Sequence, residues 1–73
     1  MGASGAASGK AGRAIRRWCR ERGVSQAELA RRAGYTRGYV SLVIRGYRPA
    51  AVFAEAIERA TGGEIRASEL LPA

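Results

Sequence analysis

The stretch 26–46, QAELARRAGYTRGYVSLVIRG, restricts this chain more than any other. Ser25-Gln26-Ala27-Glu28 has the form of a capping box, in which the serine hydroxyl and the Glu28 carboxylate satisfy the free N–H groups of a helix start. Thr36 stands at a second such start, and Gly34 between them supplies the positive φ that ends a helix at no steric cost. Two short amphipathic helices joined by a tight turn follow, with Gln26, Ala30, Gly34, Val40, Val43 and Gly46 in the places of a helix-turn-helix frame. Leu29, Ala30 and Ala33 face inward, and the small Ala30 lets the neighbouring helix come close.

The faces of the second of these helices follow from a turn of about 100° per residue. Val40, Val43 and Ile44 cluster on one side and belong to the core. The other side presents Gly38, Ser41, Leu42 and Arg45, flanked by Arg37 and Tyr39. An outward Leu42 fits contact with a thymine methyl, and Arg37 fits bidentate bonding to guanine O6 and N7. The ordinary alternative for Leu42 is a dimer contact. Gly38 costs about 1 kcal/mol of helix propensity relative to Ala, which a close approach to DNA would offset; simple tolerance is the other explanation. Tyr39 either bonds a phosphate or covers the edge of the core. Gln26, at the first position of its helix, can meet a phosphate with its amide and the helix dipole, and Thr36, Tyr47, Arg48 and Arg17 are further phosphate candidates.

The remaining segments read as packing for this frame. Residues 1–9, built of Gly, Ala and Ser after Met1, are expected to form an arm without fixed structure, native or a cloning scar, ahead of a domain over 10–73. They lack the charged start and apolar run of a secretory signal, and Ala6 stands where a myristoylation signal takes Ser or Thr. A first helix from residue 10 or 11 to 22 carries the stripe Ala11, Ala14, Ile15, Trp18, Cys19, with Trp18 expected as the largest core side chain. Arg13, Arg16, Arg17 and Arg20 lie mostly off that stripe, fit for the DNA backbone or for an ordinary solvated face. A fourth helix spans about 50–61, with Phe53, Ala56, Ile57 and Ala60 inward and Glu55 and Glu58 on the side away from any polyanion. Residues 64–66 read as extended, and 67–71 as a last turn before Pro72. Ile65, Leu70 and Leu71 either seal the base of the protomer or form a dimer contact.

Charge distribution points the same way. Residues 10–48 carry eleven Lys and Arg against two Glu, a net +9, whereas 49–73 carry two Arg against four Glu, a net −2. A basic front and an acidic back suit docking of a polyanion on the helix-turn-helix side, because phosphate neutralisation dominates non-specific DNA affinity. A chain of 73 residues buries only about 60% of its unfolded surface, which leaves no room for a deep active site beside a scaffold. With no His, no paired-carboxylate cleft and no Gly-rich phosphate loop, an enzyme is not expected; neither is a metal, a cofactor or a small-molecule ligand. The lone Cys19 and the absence of a long apolar run suggest a soluble protein of a reducing cytosol, with no membrane partner. RNA is disfavoured by the lack of an exposed aromatic array.

With these residues in view the chain resembles the Cro/CI-like helix-turn-helix regulators of phages and prophages, over roughly 14–72. The tail Ile57-Glu58-Arg59-Ala60-Thr61-Gly62-Gly63 followed by Glu69-Leu70-Leu71-Pro72 is similar to the YdaS/Cro-like subgroup. The resemblance implies an all-α bundle of four to five helices of the lambda-repressor-like DNA-binding type. It carries Gln26 over as a phosphate residue and Arg37, Gly38, Ser41 and Leu42 as base-facing positions. Where the subgroup tends to have Thr this chain has Arg66, and where it tends to have a basic residue this chain has Leu71, which bears on the cap of the last turn and the surface beside it. Members are described both as repressors and as toxins of prophage modules.

The leading expectation is a sequence-specific, double-stranded DNA-binding transcriptional regulator. It would repress as a homodimer on a palindromic operator, with its third helix in the major groove, in a bacterial cytosol or nucleoid or as a phage product in a bacterial host. The alternative is a protein-interaction module of a prophage toxin-antitoxin or phage-control system.

Overall fold

The computed structural model describes residues 2–71, with side chains from Gly9 onward. All regular structure among them is helical: α1 (Gly2–Arg22), α2 (Gln26–Ala33), α3 (Arg37–Ile44), α4 (Ala51–Ala60) and α5 (Ala67–Leu70). Helix α1 is broken at Gly9, whose φ of 44° and ψ of −177° leave the helical region. That break falls at the end of the segment set apart by composition, whose backbone from Gly2 is helical rather than without fixed structure. None of the described helices is long and apolar enough to cross a membrane.

Both turns of the central pair close in the same way. Gly34 takes φ 82°, and the next amide, of Tyr35, donates to the Ala30 carbonyl at 2.8 Å. At the end of α3, Gly46 takes φ 115° and the Tyr47 amide donates to the Leu42 carbonyl at 2.9 Å. These are Schellman closures, which satisfy carbonyls that the helix end leaves free. At the two starts, Ser25 Oγ accepts from the Glu28 amide at 3.0 Å and Thr36 Oγ1 from the Tyr39 amide at 3.1 Å. The capping box is only half formed, however. The Glu28 carboxylate turns away from Ser25 to pair with Arg31 and, at 2.9 Å, with Arg32 Nε. Two guanidiniums three and four residues on offer charge-assisted bonds that a neutral amide cannot match.

The core joins all five helices. Ile15, Leu29, Val40, Val43, Phe53 and Ile57 are its largest fully buried side chains, with Ala30, Ala54 and Ala56 among them. Helix α3 packs on α1 and α2, α4 on α2, and α5 lies against both α1 and α4. Ile65 and Leu70 are 2% exposed and Leu71 half-buried, so this tail seals the base of the protomer. Pro72 lies outside the described residues.

Trp18 is not the largest core side chain; Phe53 is. Half-buried Trp18 keeps its ring edge at the surface, where Nε1 donates to Glu64 Oε1 at 2.6 Å, beside the Arg22–Glu64 ion pair. An indole N–H needs an acceptor, and the carboxylate supplies one only at the rim. Of residues 64–66 only Arg66 is extended, and Glu64 and Ile65 form a bend. Thr61, 5% exposed, explains it: its hydroxyl donates to the Ile57 carbonyl at 2.9 Å and accepts from the Ile65 amide at 3.0 Å, folding the chain back after Gly62 and Gly63. Arg66 gives α5 no side-chain cap, and Glu58 takes that role from α4, accepting from the Ala67 amide at 2.9 Å.

Candidate nucleic-acid interface

With Val40, Val43 and Ile44 buried, α3 turns its other side outward. Arg37, Gly38, Leu42 and Arg45 are exposed and Ser41 half-buried along that side. Leu42 keeps 40% of its surface, with the core on the opposite face of the helix. Gly38 has no role in the fold: a Cβ built there meets only Thr36 Oγ1, at 3.8 Å, and its φ is not positive. The result is a helix face with one flat position between two arginines. A side chain or a base edge can approach the backbone there more closely than anywhere else on α3.

The phosphate candidates divide into three groups. Gln26, half-buried at the first position of α2, lines an open cleft together with Arg16, Arg20 and Arg37. Here the start of α2, the Gln26 side chain and three arginines border the same space, a combination suited to an anionic oxygen. The sequence offers Arg16 and Arg20 to the DNA backbone only as part of the basic face of α1, without placing them beside Gln26. They lie four residues apart beside Cys19, on the edge of the α1 stripe that adjoins α2, and that helical offset was the available signal.

The second group brackets α3, with Thr36 and Tyr39 at its start and Tyr47 and Arg48 after its end. Tyr39 is half-buried in an aromatic cluster, 4.8 Å from Phe53 and 5.2 Å from Tyr35 by ring centroids. Tyr47, 55% exposed, stands edge-on to Tyr39 at 5.9 Å, and exposed Arg48 follows it. Tyr39 thus covers the core edge and supports Tyr47. Thr36 Oγ1 is engaged as the α3 cap, which leaves only its hydroxyl proton to offer.

Arg17 stands apart from both groups, on the outer face of α1 with Arg13, Arg16 and Arg20, and its other edge borders Glu21, Glu64 and Glu69. Lys10, just after the break in α1, points elsewhere, with its ammonium 3.4 Å from the Ser68 carbonyl.

The distribution of ion pairs sharpens the electrostatics. Among the described residues, carboxylates pair with Arg22, Arg31 and Arg32 only. The Arg32 and Arg31 guanidiniums hold the Glu28 carboxyl below its usual range, and Arg22, then Trp18, do the same for Glu64. Among the described residues, the guanidiniums of Arg16, Arg20, Arg37, Arg45 and Arg48 have no carboxylate partner. Cys19 is a free, buried thiol, and burial pushes its pKa up.

The family model described as helix-turn-helix matches residues 15–67. A prophage transcriptional regulatory protein of Escherichia coli strain K12 is 46% identical over 48 residues, which cover 64% of this chain and 73% of that protein. No solved structure gives a significant match.

Proposed function

The chain belongs to the helix-turn-helix family, and from that premise we propose that this DNA-binding transcriptional regulator, which is not an enzyme, represses by occupying a specific operator. The observation that carries the proposal is the outer face of α3, where Gly38 serves no packing purpose between two unpaired arginines and an exposed leucine. A face shaped in this way suits the major groove.

In this reading Arg37 bonds guanine, Leu42 meets a thymine methyl, Ser41 and Arg45 complete the base-facing set, and Gly38 lets the helix sit deep. Gln26, Thr36, Tyr39, Tyr47, Arg48 and Arg17 hold phosphates. Residues 10–73 form the DNA-binding domain, behind an arm over 1–9, and the protein acts in the bacterial cytoplasm.

One recognition helix reads only a few base pairs, so the protein pairs with a second copy on half-sites one turn, about 34 Å, apart. Ile65 and Leu70 are used inside the protomer and are not available for that contact. Pairing draws instead on apolar surface left open, of which Val52, 60% exposed, is the least covered large side chain.

Selection of bound duplexes from a randomised pool at physiological salt tests the proposal. Recovery of a palindrome with half-sites one helical turn apart is the expected result. Salt-sensitive binding without sequence enrichment would overturn it and favour a protein partner.

A further inference from the structure

Four arginines, Arg13, Arg16, Arg17 and Arg20, occupy α1 at offsets 0, 3, 4 and 7 and line one shallow depression on its outer face. Residues at these offsets are neighbours on a helix, and like charges there destabilise it. None of the four has a carboxylate partner among the described residues; even Glu21, four residues after Arg17, forms no ion pair with it. Arg17 borders Glu21, Glu64 and Glu69 on its other edge without an ion pair, and on the shared face the four like charges repel one another in the free protein.

The stripe is not isolated. Arg16 and Arg20 also line the cleft that holds Gln26 and Arg37. A continuous basic band thus runs from the tip of α3, past the start of α2, onto the outer face of α1. Along α1 it covers seven residue steps, about 10 Å at 1.5 Å per residue. A DNA strand presents a phosphate about every 3.4 Å of axis, so the band spans about three phosphates.

We infer that the arginine stripe of α1 is a second DNA contact, which binds phosphates of the duplex flanking the half-site that α3 reads. This inference rests on the proposed reading of DNA by α3. Its chemistry is sequence-independent: unpaired guanidiniums exchange the counterions of the duplex for themselves. The band extends the footprint beyond the bases read and sets affinity without setting preference.

The test compares the full chain with the double variant Arg13→Gln/Arg17→Gln, whose positions lie outside the cleft shared with Arg37. Both arginines are exposed and unpaired, so the variant retains its fold, checked by circular dichroism. Binding is titrated over a range of salt on the selected duplex, a scrambled duplex, and versions of both with shortened flanks. The expected result is a fall in the magnitude of the salt slope by about 1.8, at about 0.9 per phosphate contact. Affinity falls by the same factor on selected and scrambled duplexes, and the wild-type preference for long flanks weakens in the variant, which keeps Arg16 and Arg20. Arg59→Gln/Arg66→Gln removes the same charge from exposed sites outside the band and leaves the slope within experimental error.

Equal slopes for the wild type and Arg13→Gln/Arg17→Gln would overturn the band while leaving the reading by α3 intact. Equal loss of slope in both double variants would also overturn it, since net charge alone would then account for the effect. Failure of the wild type to bind any duplex would overturn both.

Discussion

Gly12 passes so close to Ile44 that a Cβ on it would stand 2.5 Å from the Ile44 carbonyl oxygen and 3.1 Å from its Cα. The obstacle is backbone at the end of α3 and cannot swing aside as a side chain could. Gly12 is therefore the point at which α1 fixes the C-terminal end of the helix that faces outward. Gly12→Ala is expected to destabilise the protein by about 1–3 kcal/mol through overpacking, read as a lower urea midpoint at unchanged slope. Because α3 must shift to admit the methyl group, DNA affinity should fall as well, at a temperature where the variant is still folded.

Gly38→Ala should act in the opposite sense on stability. Space is open at this position, so the substitution is expected to raise stability by up to about 1 kcal/mol, the difference in helix propensity. The same methyl group should weaken binding to the selected duplex if α3 seats closely. Thermal melts and titrations of one variant decide both halves, and a gain in stability with unchanged affinity would separate Gly38 from the interface.

Much of this fold was legible because its turns carry their own chemistry. Ser25, Gly34, Thr36 and Gly46 mark boundaries by residue type, and the apolar spacing of α3 and α4 names nearly all of their buried side chains. Long-range partners left no local mark. Nothing near Glu58 in sequence shows that its carboxylate caps α5 nine residues on, and nothing near Trp18 shows that Glu64 will accept from its indole. Glu28 misled for a related reason, since the capping-box pattern says what a carboxylate can reach and not which of two donors it prefers.

That Trp18–Glu64 contact gives a pH readout. Arg22 first, and Trp18 second, hold the Glu64 carboxyl below its usual range. A carboxyl depressed by folding contributes stability above its unfolded pKa, about 4.3, and the contribution is lost as pH falls through the lower folded value. Trp18 is the single tryptophan, so its emission should change in that acidic window before global unfolding. Glu64→Gln keeps an acceptor but no titration, and it should remove the step while the far-ultraviolet signal stays native. An emission step that persists in Glu64→Gln would assign it elsewhere.

The exposed side of α3 was legible from helical periodicity alone, because burial of Val40, Val43 and Ile44 fixes what faces out. The cleft at the start of α2 was not. Two of its arginines, Arg16 and Arg20, come from α1, and their convergence on Gln26 depends on how α1 crosses the pair, which the close approach at Gly12 helps to set. Sequence gave the charge of α1 without the direction in which each guanidinium points.

Arg37 and Gln26 line the same cleft, yet their loss should differ in kind. Arg37→Ala is expected to cost about 1–3 kcal/mol of binding to the selected duplex and to relax preference at one base-pair position. Gln26→Ala should weaken selected and scrambled duplexes alike, because a phosphate contact fixes position without reading sequence. Arg37 is exposed and without an ion pair among the described residues, so its melting temperature should stay near that of the wild type and the loss can be read as binding. Repeating the duplex selection with each variant measures the difference directly. An unaltered profile for Arg37→Ala would move base reading toward Ser41, Leu42 and Arg45, further along α3.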